Sequence, residues 1–201
     1  MGKPKGGLIV VGSYVPKTTE QLVSLTQTTA VRKIELLVAD IVRLHRTSKD
    51  GMGIEREQGL NGIKQIVTNA TEQIEQALEQ GLDTVVYTSR QFVEGISIEE
   101  IAFVSQVLSE VVKSIRVKPR FLIAKGGITS YDVAHKSLGL KEAYVEGTVD
   151  PGISKLLCII SYHYFLINII IIIRRNTDME NRPTLQVSWY ALHSISWKCW
   201  R

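Results

Sequence analysis

Apolar residues follow two periods along the first three quarters of the chain. Short β-branched runs, "GLIVVG" (7–12), "IELLV" (34–38), "TVVYTS" (84–89) and "RFLIAKG" (120–126), read as buried strands. "AYVEG" (143–147) is a weaker fifth. Between them the apolar positions recur at helical spacing. Ile63, Ile66, Val67, Ile74 and Leu78 make one stripe over 54–80, with Gly81 as its stop. Ile98, Ile101, Ala102, Val104, Leu108, Val111 and Val112 make another over 98–115, opened by Ser97 and Glu100 at capping-box spacing. The polar, glycine-rich run "RTSKDGMG" (46–53) reads as a loop. Strands alternating with helices predict an α/β fold, a mostly parallel sheet flanked by helices in three layers.

The pattern breaks near Gly152. "LLCIISYHYFLINIIIII" (156–173) is an apolar run of membrane-span length with Arg174 and Arg175 directly behind it. Residues 1–153 hold 18 Lys/Arg and 18 Asp/Glu, while 154–201 hold six and two, so the whole +4 charge sits in the tail. A balanced body implies no basic patch and gives no reason to expect nucleic acid. Both cysteines (Cys158, Cys199) and all three tryptophans (Trp189, Trp197, Trp200) follow residue 153, and no glycine does. A cysteine-free body excludes a disulfide framework or cysteine zinc site there and fits a reducing, cytoplasmic setting. The start, "MGKPKGG", has no apolar h-region, so it is no secretory signal, and Gly6 stands where a myristoylation start has Ser or Thr. The division gives a body, 1–153, and a non-native-looking hydrophobic tail, 154–201.

Two strand ends in the body carry candidate chemistry. In "VVGSYVPKTTEQL" a strand meets Gly12-Ser13, then Pro16, then Thr18 with Gln21 at capping spacing. The turn and helix start offer N–H groups to an anion, and Ser13 adds a hydroxyl. In "FLIAKGGITSYDVA" a strand meets Gly126-Gly127, then Thr129 with Asp132 at capping spacing. Two glycines let a phosphate approach the backbone, and Lys125 supplies a point charge. Both loops belong beyond the carboxyl ends of the strands, where open α/β sheets bind ligands. Each is equally readable as ordinary strand-to-helix turn chemistry, and neither matches a Walker A loop or a dinucleotide fingerprint. Arg90, closing "TVVYTSR", is either a phosphate partner or a solvated strand end. His45 and His135 lack partners at ligand or triad spacing, so structural or surface roles are expected and no metal site is.

The stretches "LIVVGSYVPKTTEQL", "DTVVYTSR" and "PRFLIAKGGITSYDVAHKSLGLKEAYVEG" resemble the C-terminal nucleotide-binding domain of the four-carbon acid sugar kinases, over about residues 7–153. The wording is closest to the plant-type form, in which the kinase is fused to hydroxyacid dehydrogenase-like and aldolase-like parts. The resemblance implies ATP-dependent phosphorylation of small sugar acids such as threonate, erythronate or an oxo-tetronate, with Mg²⁺ accompanying ATP. It implies ATP contacts from Ser13, Gly126, Gly127, Ile128 and Thr129. The chain departs from the family twice. Nothing here corresponds to the family's sugar-acid domain with its acidic motif, and the glycine motif F-P-G-N-V-G expected after Pro151-Gly152 is missing.

The expectation is therefore an ATP-binding part of a sugar-acid kinase, inactive alone. Two readings compete with it: a membrane-anchored protein with a single span at 156–173, and a non-catalytic nucleotide-binding or regulatory module on the same sheet. The tail is expected to be translated from a retained intron and then an out-of-frame exon. Its Ile, Tyr, Phe, Leu and Asn have AT-rich codons, and Ser154-Lys155 is encodable as AGTAAG, which contains the intron start GTAAG. Reading "ISWKCWR" (195–201) one base out of frame permits F-P-G-N-V-G, the missing motif. Sequencing the transcript is expected to show a splice junction near codon 154 and that motif in the shifted frame. Their absence would return the membrane anchor to first place.

Overall fold

The computed structural model describes residues 5–91 and 93–140, together with the strand residues 171–172, 174–175 and 185–186. Strand β1 (Leu8–Val11) leads through helix α1 (Pro16–Thr28) to β2 (Arg32–Leu36). Helices α2 (Val38–Asp50) and α3 (Ile54–Glu79) precede β3 (Thr84–Thr88). Helix α4 (Ile98–Ser114), β4 (Leu122–Lys125) and the short helix α5 (Gly127–Asp132) follow, and α5 runs on into a π-helical turn at Val133–Ser137. The sheet order is β2-β3-β1-β4, all parallel, with β5 (Ile171–Ile172) antiparallel on the β4 edge. A separate antiparallel pair joins β6 (Arg174–Arg175) to β7 (Leu185–Gln186).

Strands β1, β3 and β4 are almost wholly buried because both sheet faces are covered there, whereas the edge strand β2 exposes Arg32, Lys33 and Glu35. Leu8, Val10, Ile34, Leu36, Val86, Leu122 and Ala124 point one way, into a core shared with Ile41 of α2, Ile74 and Leu78 of α3, and Val104, Leu108 and Val111 of α4. The alternate residues Ile9, Val11, Val85 and Ile123 are equally buried on the other face, which α1 covers with Leu22 and Leu25. Each buried Val, Leu or Ile among them stabilises the fold by roughly 1.5–3 kcal/mol relative to exposure. The three-layer α/β expectation holds. The strong helices also fall where the stripes placed them, and Gly81 follows α3 with φ of +80°.

Three local expectations are corrected. The run 46–53 is a loop only from Gly51 onward, because 46–50 is the last turn of α2. Val38, Ile41 and Val42 form that helix's buried stripe, and its polar residues face out, so its end looked like a loop. The helix of the first junction is not capped by Thr18. It starts two residues earlier, with Pro16 at its first position, and leaves Thr18 and Gln21 buried inside it. Nor does Thr129 cap α5: Gly126 precedes that helix without a side-chain cap. The fifth strand expected at 143–147 lies outside the described residues, as does the apolar run 156–173 apart from Ile171–Ile172, which form strand. Among the described residues no helix is long and apolar enough to cross a membrane.

The capping box at the start of α4 forms as expected. Glu100 N donates to Ser97 Oγ at 3.2 Å, and Ser97 N donates to Glu100 Oε2 at 2.7 Å. The same carboxylate receives Arg46 Nε at 2.5 Å and Nη2 at 3.2 Å, so α2 is tied to the start of α4. Arg46 and then the Ser97 amide hold the Glu100 carboxyl down to about 2, against an ordinary value of 4.5. A depressed folded-state value gives stability that is present above 4.5 and lost as pH falls through about 2. Glu100→Gln is expected to lower stability at pH 6 and to flatten the acid limb between these values. Urea midpoints measured from pH 6 to pH 2 check this; a variant whose acid limb matches the wild type's would refute it.

Candidate functional site

Strands β3, β1 and β4 are neighbours and parallel, so their carboxyl ends open onto one edge of the sheet. That topology brings the two glycine junctions together across more than a hundred residues of chain. The register sets Val11 beside Tyr87 and beside Lys125, and the chain turns just beyond each. A Cβ on Gly12 would stand 2.5 Å from Thr129 Oγ1, and a Cβ on Gly126 would stand 2.6 Å from the Ser13 Cβ. The loops thus touch backbone to side chain, with no room for a methyl group between them. Gly126 also has φ of +108°, a conformation that glycine alone adopts without strain.

Gly127 differs. It begins α5 with open space where a side chain would project, no atom of the described residues lying within 4 Å of a Cβ built there. The N–H groups of Gly127, Ile128 and Thr129 belong to the first helical turn, which has no intrahelical acceptors for them. Ile128 is 73% exposed, an apolar side chain standing beside this open backbone. Ser130 secures the turn from beneath, its Oγ donating to the Ala124 carbonyl at 2.9 Å. Thr129 is buried against Gly12. Asp132 serves the scaffold, accepting from Ser105 Oγ at 2.7 Å and pairing with Lys136 Nζ at 2.8 Å.

Two cations complete the edge. Lys125 alternates with Ala124 and so lies on the α1 face of the sheet, only 4% exposed. Burial, and then the charge of Lys17, pull its ammonium below the ordinary lysine value. Arg90, just past the end of β3, donates from Nη1 to the Ser13 carbonyl and lies 5.6 Å from the centre of the Tyr14 ring. Burial lowers its guanidinium too, and burial raises the Tyr14 hydroxyl above the ordinary tyrosine value. Sequence reading left Arg90 undecided, since its link to Ser13 is visible only once β3 and β1 are known to be adjacent. Among the described residues the shelf is open rather than enclosed. A groove of about 670 Å³ runs from Tyr14 along α1 past Pro16, Thr19 and Val23.

The residues singled out from the sequence, Ser13, Lys125, Gly126, Gly127, Ile128 and Thr129, all lie at this edge. The histidines lie apart from it: His45 stacks on Phe103 at 3.9 Å and His135 on Tyr131 at 5.4 Å. Among the described residues no three His, Cys, Asp or Glu side chains gather as metal ligands. What the edge offers is backbone N–H groups, hydroxyls and positive charge, the donor set that suits an anion.

Comparison with known proteins gives one family. The nucleotide-binding C-terminal domain matches residues 8–170. A search of curated proteins finds no match.

The two glycines are expected to separate folding from function. Gly126→Ala should cost about 1–3 kcal/mol, because it combines a glycine-only conformation with a clash against Ser13. Gly127→Ala should leave stability within about 0.5 kcal/mol. Urea denaturation of both variants checks the pair, and equal losses would contradict the geometry.

Proposed function

The chain belongs to the nucleotide-binding C-terminal domain family, the C-terminal domain of the four-carbon acid sugar kinases, and from that membership we propose that its glycine edge binds Mg-ATP for phosphorylation of a small sugar acid. The observation that carries the reading is the contact between Gly12-Ser13 and Gly126, with the open backbone of Gly127 beside it. Ser13 and the first turn of α5 supply donors to the phosphates. Ile128 offers an apolar surface next to them. Mg²⁺ enters with ATP as part of the substrate, and it supplies charge neutralisation along the phosphates.

In phosphoryl transfer the protein's contribution is positioning and charge stabilisation. This domain holds the donor. The acceptor, a hydroxyl of a four-carbon sugar acid such as threonate, erythronate or an oxo-tetronate, is positioned by the kinase's other domain in the family scheme. The domain is accordingly a binding half, not a catalyst by itself. A non-catalytic regulatory module would share the binding and differ only in never being paired with a substrate domain.

The full chain is expected to bind Mg-ATP, weakly, with affinity in the upper micromolar to millimolar range. Gly127→Val should abolish binding while leaving the fold intact, since a β-branched side chain fills the space the phosphates need. A coupled assay with threonate, erythronate and oxo-tetronate should stay at background. Calorimetry and the assay on the same preparation decide: no heat at millimolar Mg-ATP from folded protein removes the site, and turnover of any of the three acids overturns the binding-half reading.

A further inference from the structure

A guanidinium buried without acceptors is unfavourable, and such groups persist where a ligand completes them. One edge of Arg90 is occupied, with Nη1 donating to the Ser13 carbonyl. The other edge, Nε and Nη2, is buried and has no acceptor among the described residues. That edge is a pair of parallel N–H donors matched to two oxygens of one phosphate or carboxylate. Lys125 gives a second, separate observation. Its side chain is buried to all but 4%, and no hydrogen-bond or carboxylate partner meets it among the described residues.

We propose that Arg90 and Lys125 form a two-cation clamp on the polyphosphate of the bound nucleotide, with Arg90 gripping one phosphate through Nε and Nη2. The proposal rests on the nucleotide reading given above and names two residues that would do the gripping. Geometry links them. Arg90 holds the Ser13 carbonyl, the Ser13 Cβ lies against Gly126, and Gly126 follows Lys125 directly. Charge chooses between the two oxyanions. Two unpaired cations exceed what one carboxylate neutralises, whereas a diphosphate or triphosphate carries enough negative charge for both. The neighbouring acid, Glu35, acts on Arg90 only through its field and is exposed on β2. The Arg90 edge is covered, so a phosphate reaches Nε and Nη2 only by displacing what covers it.

Calorimetry on the full chain tests the clamp with AMP, Mg-ADP, Mg-ATP and inorganic triphosphate as probes. Arg90→Lys keeps the charge and removes the fork; Lys125→Met removes the charge and keeps the length. Either variant is expected to weaken ADP, ATP and triphosphate by roughly tenfold or more, while AMP is unchanged. Melting curves by circular dichroism identify any variant that fails to fold, and the other variant then carries the test. Unchanged ATP affinity in a folded variant would overturn the clamp. So would an equal loss for AMP and ATP, which would make Arg90 only a support for Ser13. A wild-type chain that binds triphosphate, loses it in Arg90→Lys and binds no nucleotide keeps the clamp and removes the nucleotide reading. A wild-type chain that binds neither removes both.

Discussion

Everything at the carboxyl edge depends on how closely β1 and β4 let their following loops approach. Parallel strands set the backbones a fixed distance apart, and the turns beyond them must then pass each other. Glycine at 12 and at 126 makes this possible, since a methyl group at either place would overlap Thr129 or Ser13. The contact fixes the position of the Ser13 carbonyl, and Arg90 fastens that carbonyl from the β3 side. Three strand ends are thereby tied through one residue. The donors of the first turn of α5 are held where they are by the same contact, and no enclosed pocket is needed to orient them.

Away from that edge a second seam operates on different physics. Arg46 and Lys49 of α2 reach across to Glu100 and Glu99 at the start of α4, at 2.5 Å and 2.8 Å. The Lys49 pair is exposed, and exposed pairs contribute little. The Arg46 pair is different in kind, because Glu100 is also the capping-box partner of Ser97 at the start of α4 and is mostly covered. One carboxylate thus satisfies a helix end and joins two helices. Apolar burial holds the layers together, while this seam sets how α2 lies along α4.

Much of the fold was legible because the sheet is buried on both sides. Uniform β-branched runs such as Leu8–Val11 and strong stripes such as that of α3 leave little choice of element. What failed failed for local reasons. Helix α2 buries only Val38, Ile41 and Val42 and ends in polar residues, so its periodicity was too short to separate from a loop. Thr18 and Thr129 had the spacing of caps, but Pro16 and Gly126 set the helix starts, and the threonines were drawn into the core instead. The glycine junctions were visible one at a time. Their contact was not, since strand order is set by tertiary packing, and Arg90 gains its meaning only from that order.

The sheet order also says when this edge can exist. Strand β1 does not pair with β2, which follows it in the chain: Leu8 lies between Thr84 and Leu122. Such distant pairing costs loop-closure entropy before any contact repays it, which slows folding. During synthesis β1 therefore emerges before both of its partners, an apolar ribbon with both hydrogen-bonding edges open until β3 and then β4 arrive. Segments of that kind invite pairing with other chains. The strand that lies at the centre of the finished sheet is the one whose safety depends on the chain being completed as far as Lys125.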